Sequence, residues 1–299
     1  MTRPGLTLIE LVVVLAILAT LTLVAVVSTE GVVEQGRFDV TQRALQNIDE
    51  AVLGPAGQPD APSFIADVGR LPQAWIDPTD ATNEIQPGEL WANVNGIRAF
   101  GPATDSVDTE VSLLVGWRGP YLRLPPGQTR LRDGWGRPFA FFQPDVATPR
   151  DTPVTAAGQP VASAASLGGA IPPYDATSLV LASEAVRRGW TGTVQGSIED
   201  TGTTTNATAP ATVRLFVPDV SKPGGIRVMT YVATAPGYRF VFPVPPGDAY
   251  HSSADADSKL PLPIGPKAIR IQQNGVKGPI VYLRVPPGGL TRTLNFDLQ

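Results

Sequence analysis

The chain has 299 residues, enough for roughly two domains of ordinary size and a substantial hydrophobic core. Its formal net charge is -4 and its Lys and Arg residues are scattered, which argues against a nucleic-acid-binding surface. The absence of cysteine excludes a disulfide framework and a thiolate metal site.

An apolar stretch stands near the start of the chain. It runs from Leu6 to Val27 and is interrupted only by Thr7, Glu10, Thr20 and Thr22. Because roughly 20 mostly apolar helical residues cross a bilayer core, the sequence predicts a transmembrane helix over 6–28. No small-x-small cleavage site follows the stretch, so an ordinary secretory signal fits poorly.

The six residues Gly-Leu-Thr-Leu-Ile-Glu at 5–10, followed by this apolar stretch, resemble the class III leader of type IV pilins and type II secretion pseudopilins. The resemblance implies that residues 1–5 are a leader peptide, that a prepilin peptidase cuts after Gly5, and that the new amine of Leu6 is methylated. It also implies that Glu10 is the fifth mature residue. Leu6 stands where the family usually has Phe.

A carboxylate in an apolar helix is costly unless its charge is offset. Glu10 can be offset by the amine of Leu6 on a neighbouring copy, which would set the register between subunits in a filament. The alternative interpretation is that Glu10 lies at headgroup depth beside a plain membrane anchor. The predicted partners are other copies of the chain, prepilin peptidase, an inner-membrane assembly platform and the lipid bilayer, without nucleic acid.

The helix is expected to continue beyond the apolar stretch. Apolar and charged residues alternate at helical spacing over Ser28 to Leu53, and no proline occurs between Gly5 and Pro55. We therefore predict one helix over 6–54, roughly 70 Å long, that ends at Gly54 and Pro55.

Two aromatic motifs stand in the segment 55–189, which we predict to be a globular head. They resemble the conserved core of major pseudopilins, where the second motif enters a hairpin of the small sheet that packs on the long helix. The resemblance is interpreted as architectural, with Trp135 and Phe141 as core aromatics and Asp133 without a catalytic role. The matching residues are Gly116, Trp117, Gly119, Pro120 and Tyr121 in the first motif, then Asp133, Trp135, Gly136 and Pro138, with Phe139 or Phe141 as the following aromatic.

A calcium loop, which the resembled family often has near its C-terminus, is not predicted here. After Ser178 to Ser183 the sequence places Arg187 and Arg188 where oxygen ligands would be needed, and calcium takes about six to eight oxygens. We predict no metal and no cofactor.

The segment 190–299 contains seven short runs of β-forming residues separated by Gly and Pro, which predicts a β-sandwich. The runs are Thr193–Ile198, Thr212–Val217, Arg227–Val232, Tyr238–Val244, Ala268–Ile271, Ile280–Val285 and Thr293–Leu298. The sequences at Thr191–Asp200, Ala211–Val217 and Gly237–Tyr250 resemble the transthyretin-like domain, also called the carboxypeptidase regulatory-like domain.

Enzymatic chemistry has little support in the sequence. The chain has one histidine, His251, in a polar stretch where a solvated loop residue is expected, and the nearby Asp255 and Asp257 do not make a cation cage. We therefore predict that the chain is not an enzyme.

The predicted fold class is α+β. A long N-terminal helix, transmembrane in its first half and amphipathic in its second, packs on a small antiparallel sheet as in the pilin fold, and an all-β sandwich follows. The predicted function is that of a structural subunit of a type IV pilus-like filament or a type II secretion pseudopilus. The predicted location is the inner membrane as a single-pass protein, with the bulk of the chain in the periplasm and the filament in the periplasm or at the cell surface. The alternative is a monomeric membrane-anchored module whose sandwich recognises a glycan or a protein.

Overall fold

A computed structural model of the chain describes residues 8–58, 61–79, 81–106, 108–144, 152–169, 174, 181–182, 189–200, 209–234, 238–245 and 256–296. These residues fall into two compact units. The smaller unit comprises the described residues of Met1–Ala44, Arg132–Phe139 and Ser166–Leu181. The larger unit comprises those of Leu45–Leu131, Ala140–Ala165 and Ala182–Gln299.

Helix α1 (Leu8–Leu53) has 46 residues. Its length follows from the absence of proline, and at 1.5 Å per residue it is roughly 70 Å long. The helix ends because Gly54 adopts a left-handed conformation (φ 92°) and donates its N–H to the carbonyl of Glu50 at 2.8 Å. Proline at position 55 then prevents continuation.

The transmembrane segment predicted over 6–28 is wrong. In the part of the chain that the structure describes, no helix contains a stretch that is long and apolar enough to cross a membrane. Glu10, Thr20 and Thr22 interrupt the apolar residues at the start of α1. The predicted single-pass inner-membrane location depended on this segment, and that prediction is therefore wrong as well.

The described part of the head includes a short helix, α2 (Phe64–Val68), which begins at the N-cap Ser63 and is buried throughout. A 3-10 turn at Gly88–Leu90 follows two very short strands. The strands are β1 (Trp75–Ile76), β2 (Ile85–Gln86), β3 (Gly101–Thr104), β4 (Ser112–Val115), β5 (Ala140–Gln143), β6 (Thr152–Pro153), β7 (Ser163–Ser166) and β8 (Leu181–Ala182).

These strands form several small sheets, so the prediction of one small sheet packed on the helix is also wrong. Among the described residues β1 pairs with β2, β3 pairs with β4, and a four-stranded sheet has the order β6-β5-β7-β8. The physical reason is the composition: the chain has 31 prolines and 30 glycines, and both residue types interrupt strands.

The C-terminal segment forms the larger sheets, and each of the seven predicted β-runs overlaps a strand. A three-stranded sheet has the order β13-β10-β18, with β10 and β18 parallel, and a five-stranded sheet has the order β12-β11-β15-β16 with β17 also paired to β15. The strands are β9 (Thr191–Gly192), β10 (Val194–Asp200), β11 (Ala211–Pro218), β12 (Ile226–Ala233), β13 (Arg239–Phe242), β14 (Leu262–Pro263), β15 (Gly265–Gln273), β16 (Val276–Lys277), β17 (Val281–Val285) and β18 (Leu290–Phe296).

The two larger sheets enclose a common hydrophobic core. Val194 and Phe242 from the three-stranded sheet pack with Leu215, Met229 and Ile269 from the five-stranded sheet, all at 1% exposure or less. Side chains that alternate between core and exterior along each strand build this core.

The outer face of the five-stranded sheet packs on the head. Val111 and Val115 of the head share a second apolar cluster with Phe216 and Ala268 of the sheet. A buried ion pair between Asp108 Oδ1 and Arg270 Nη1, at 2.7 Å, lies beside it. Residues on both sides of the boundary predicted at 189/190 therefore pack together within the larger unit.

Candidate functional site

The first half of α1 exposes an unusual amount of apolar surface. Every described side chain from Leu8 to Leu23 is exposed, including Leu8 at 81% and Leu23 at 67%. The exposed residues occupy consecutive positions and therefore surround the helix instead of following one stripe. A helix that is apolar on all sides is normally buried in a larger assembly. We call this part of α1, Leu8 to Leu23, the stem.

Glu10 is the carboxylate of the stem. It lies exposed in the first turn of α1, where an acidic side chain interacts favourably with the helix dipole. The predicted cleavage and methylation residues, Gly5 and Leu6, lie outside the described residues. The hydroxyls of Thr20 and Thr22 donate to the carbonyls of Ile17 and Leu18 at 2.8 and 2.7 Å, which satisfies them within the helix.

The second aromatic motif contacts α1 beyond the stem. Trp135 donates its Nε1–H to Glu34 Oε2 at 2.7 Å, and the backbone N–H of Gly134 donates to Thr41 Oγ1 at 2.8 Å. Glu34 also pairs with Arg37 Nη1 at 2.7 Å. Glu34 and Thr41 are buried, so these bonds anchor the loop on one face of the helix. We call Asp133–Pro138 the clamp loop.

Asp133 holds the clamp loop in shape. Its Oδ1 accepts the backbone N–H groups of Trp135 and Arg137 at 3.0 and 2.8 Å, and its Oδ2 accepts the hydroxyl of Ser166 at 2.8 Å. Gly136 supplies a left-handed turn residue (φ 76°). Both oxygens of Asp133 thus accept hydrogen bonds, from the loop itself and from Ser166.

Removing the indole N–H tests the clamp loop. We expect Trp135→Phe to weaken its attachment by about 1 to 3 kcal/mol, because a buried oxygen of Glu34 loses its donor. Urea denaturation and hydrogen exchange over Glu34–Thr41 measure the loss. Trp91→Phe is the control, since the Trp91 indole makes no hydrogen bond among the described residues, and an equal loss in both variants would contradict the assignment.

The first aromatic motif surrounds a buried carboxylate on α2. Arg118 binds Asp67 through Nη2 and Nε at 2.8 and 3.0 Å, and the Tyr121 hydroxyl donates to Asp67 Oδ2 at 3.1 Å. Burial raises the pKa of Asp67, although the hydrogen bonds and charge of Arg118 oppose that shift. Burial likewise raises the pKa of Tyr121. The backbone N–H of Gly116 donates to the Asp67 carbonyl at 2.8 Å, which ties the motif to α2.

A second buried carboxylate, Glu89, lies on the other side of this motif. Arg70 binds it through two bonds of 2.8 Å, and the backbone N–H of Gln73 and the side chain of Asn95 each donate to it at 2.7 Å. Trp117 donates its Nε1–H to the Glu89 carbonyl at 2.7 Å. Glu89 is fully buried, so the four bonds to its carboxylate offset the cost of burying its charge.

Gly119 and Pro120 complete the first motif. A Cβ on Gly119 would come within 2.8 Å of the Trp117 ring and 3.0 Å of the Tyr121 ring, so only glycine fits between them. The Gly119–Pro120 peptide bond is cis. Tyr121 also packs edge-on against Phe64 of α2, with ring centroids 5.5 Å apart.

Sequence reasoning identified both motifs but not their partners. The sequence gives no sign that the four partner residues are special, because each stands in an ordinary polar pattern and its role depends on a distant segment. These residues are Glu34, Thr41, Asp67 and Glu89. Glu34 and the exposed Glu30 look alike in the sequence.

The metal and histidine predictions concern residues that are largely undescribed. Four of the residues concerned lie outside the described residues: Arg187, Arg188, His251 and Asp255. Asp257 is described, and it forms an ion pair with Lys222 at 2.8 Å. Within the described ranges no group of three or more His, Cys, Asp or Glu residues is placed to hold a metal ion.

Comparison with known proteins adds no family: no protein-family model matches the chain, and no curated protein sequence matches it significantly.

Proposed function

We propose that this chain is a structural subunit that polymerises with copies of itself through the stem, as a subunit of a type IV pilus-like filament or a type II secretion pseudopilus. The observation that carries the proposal is the exposed apolar surface around the whole circumference of Leu8 to Leu23. At about 25 cal/mol per Å² of apolar surface, covering this helix is strongly favourable.

The distribution of that surface favours a multi-stranded assembly over a dimer. A single partner helix covers one stripe, as in a coiled coil, and leaves the remaining apolar positions in water. A bundle in which each stem has several neighbours covers all of them. When copies of the chain associate through the same segment, each stem is both the apolar surface to be covered and the surface that covers its neighbour.

The start of the chain supports a subunit that is processed before assembly. The motif at 5–10 resembles a prepilin peptidase site, and cleavage after Gly5 would leave a positively charged amine on Leu6. In a bundle, that amine on one copy can pair with the Glu10 carboxylate of the next and offset its charge away from water. Prepilin peptidase and an assembly platform are thus proposed partners.

Different sections of α1 contact the clamp loop and expose apolar surface. The hydrogen bonds of the clamp loop to the helix fall between Glu34 and Thr41, whereas the side chains of the stem are exposed. The contacts of the clamp loop and the exposed apolar surface therefore occupy different sections of the helix.

Neutralising Glu10 tests the assembly role. We expect Glu10→Gln to be cleaved after Gly5 at the wild-type rate when it is co-expressed with a prepilin peptidase, but to form few or no filaments, because the Leu6 amine of each copy then lacks its counter-charge. Intact mass spectrometry measures cleavage, and sedimentation with negative-stain electron microscopy measures assembly.

Glu30→Gln is the matched control, since Glu30 is an exposed acid on the same helix beyond the stem. It should assemble as the wild type does. Filaments of normal yield from Glu10→Gln would overturn the role of Glu10, and a wild-type chain that is cleaved yet stays monomeric at high concentration would overturn the proposed function itself.

A further inference from the structure

The larger unit contains a groove that neither aromatic motif uses. It lies between the last turns of α1, the turn at Gly54–Gln58 and the residues around β15, β17 and β18, and its volume is about 610 Å³. Pockets that hold small organic molecules are typically 300 to 1,000 Å³. Its size therefore suits a small molecule.

The floor of the groove is rigid. It includes Ala66 of the buried α2 and Gly265 at the start of β15. A Cβ on Gly265 (φ 107°) would lie 2.8 Å from the Ala66 Cα, so the two backbones are in direct contact. Val285 and Ile264, which also line the groove, are buried to 1% and 5% exposure. A floor built from packed core residues keeps its shape without a ligand.

The rim is held open by turn residues. Gly54 and Gly57 adopt left-handed conformations (φ 92° and 77°), and a Cβ on Gly57 would meet nothing within 4 Å. Pro286 and Pro287, which also line the groove, stiffen the chain after β17. The groove is thus preformed and open to solvent at Gly57.

The charges on the lining favour a cation. Among the described lining residues, Asp49 and Glu50 from the last turns of α1 are half-buried carboxylates, and Arg284 is the one cationic side chain. Glu50 Oε1 also accepts a hydrogen bond from the Gln46 amide at 3.0 Å. Arg284 also interacts electrostatically with the buried carboxylate of Asp67, which lies outside the groove. The described lining therefore carries one more negative than positive charge, which favours a cation.

We propose that this groove binds a small organic cation that has an apolar body and a primary ammonium group. The apolar body contacts Leu53, Val285 and Leu290, and the ammonium group donates hydrogen bonds to Glu50 and Asp49. This site is separate from the stem and does not depend on polymerisation.

Three ligands that share a six-carbon chain and differ in the charge of the head group test the proposal. Titrations of the full chain with n-hexylammonium, n-hexanol and hexanoate, followed by NMR chemical shifts, should show that hexylammonium binds at least about tenfold more tightly than hexanoate. The double variant Asp49→Asn, Glu50→Gln should remove most of this preference and keep the binding of hexanol.

A variant that fills the groove locates the site. Ala56 lines the groove and is exposed, so Ala56→Trp occupies the space without disturbing the core, whereas Ala56→Ser leaves it open. We expect Ala56→Trp to weaken all three ligands at least about tenfold and Ala56→Ser to bind like the wild type. Three results would each overturn the proposal. They are equal binding of hexylammonium and hexanoate, unchanged binding by Ala56→Trp, and no binding of any of the three ligands at about 10 mM, on the order of the weakest useful affinities.

Discussion

Replacing Gly134 with alanine is expected to detach the clamp loop from α1 and to destabilise the smaller unit by about 3 kcal/mol or more. A Cβ at this position would lie 2.0 Å from the backbone oxygen of Arg37 and 2.6 Å from its carbonyl carbon. Backbone atoms inside a helix cannot move aside as a flexible side chain can. The loop must therefore shift, and the shift breaks the bonds from Gly134 to Thr41 and from Trp135 to Glu34.

Gly136→Ala is the matched control for this prediction. Gly136 lies in the same loop, but a Cβ there would meet nothing within 4 Å, so its cost is limited to the left-handed backbone, about 1 kcal/mol. Hydrogen exchange over Arg37–Ala44 and urea denaturation compare the two variants. A loss in Gly134→Ala no larger than that in Gly136→Ala would show that the loop is not tightly held against the helix.

The parts of the fold that depend on local physics were predictable from the sequence. Helix α1 follows from the absence of proline over Leu8–Leu53, and its end follows from Gly54 and Pro55. The strands of the C-terminal segment follow from short runs of β-branched and aromatic residues between turn residues. In each case neighbouring residues supply the whole signal.

The wrong prediction of a membrane span shows the limit of a composition argument. Apolar residues in the stem indicate a surface that must be covered, but they do not say by what. Lipid and other copies of the same helix satisfy that requirement equally well, since both remove apolar surface from water. The number of apolar residues was the criterion, and Glu10, Thr20 and Thr22 interrupt them.

The partners of the two motifs could not be predicted because they come from distant segments. Trp135 and Glu34 are 101 positions apart, and Arg118 and Asp67 are 51 apart. The packing of the head on the outer face of the five-stranded sheet has the same character. A sequence pattern shows that a tryptophan or a glycine is needed, but which atom it meets depends on the assembled fold.

Replacing Lys267 with methionine is expected to stabilise the larger unit at neutral pH by more than about 1 kcal/mol. Lys267 is 1% exposed, and among the described residues its Nζ donates only to the carbonyls of Ile264 and Pro266, at 3.3 and 3.2 Å. Burial lowers the pKa of Lys267 well below its ordinary value of 10.5, and the charges of Arg227 and Arg284 lower it further. Methionine has a similar length and needs no hydrogen bond.

The sign of the pH dependence follows from proton binding. Below pH 10.5 the unfolded chain holds a proton on Lys267 that the folded chain gives up, so the stability of the wild type falls as the pH drops from 10.5 towards the lowered pKa. The slope is about 1.4 kcal/mol per pH unit inside that window and is absent below it. Lys267→Met should lack this slope, and its advantage should therefore grow as the pH falls through the window.

Urea denaturation at a series of pH values between 6 and 10, roughly the accessible part of this window, measures the difference between the two chains. Lys259→Met is the control, because Lys259 is exposed in the same unit and should retain the slope of the wild type. Two results would contradict this prediction: a loss of stability in Lys267→Met at neutral pH, or a pH slope in Lys267→Met equal to that of the wild type. Either would mean that Lys267 is charged in the folded chain. A charged ammonium group at that depth requires an anion to offset the repulsion from Arg227 and Arg284.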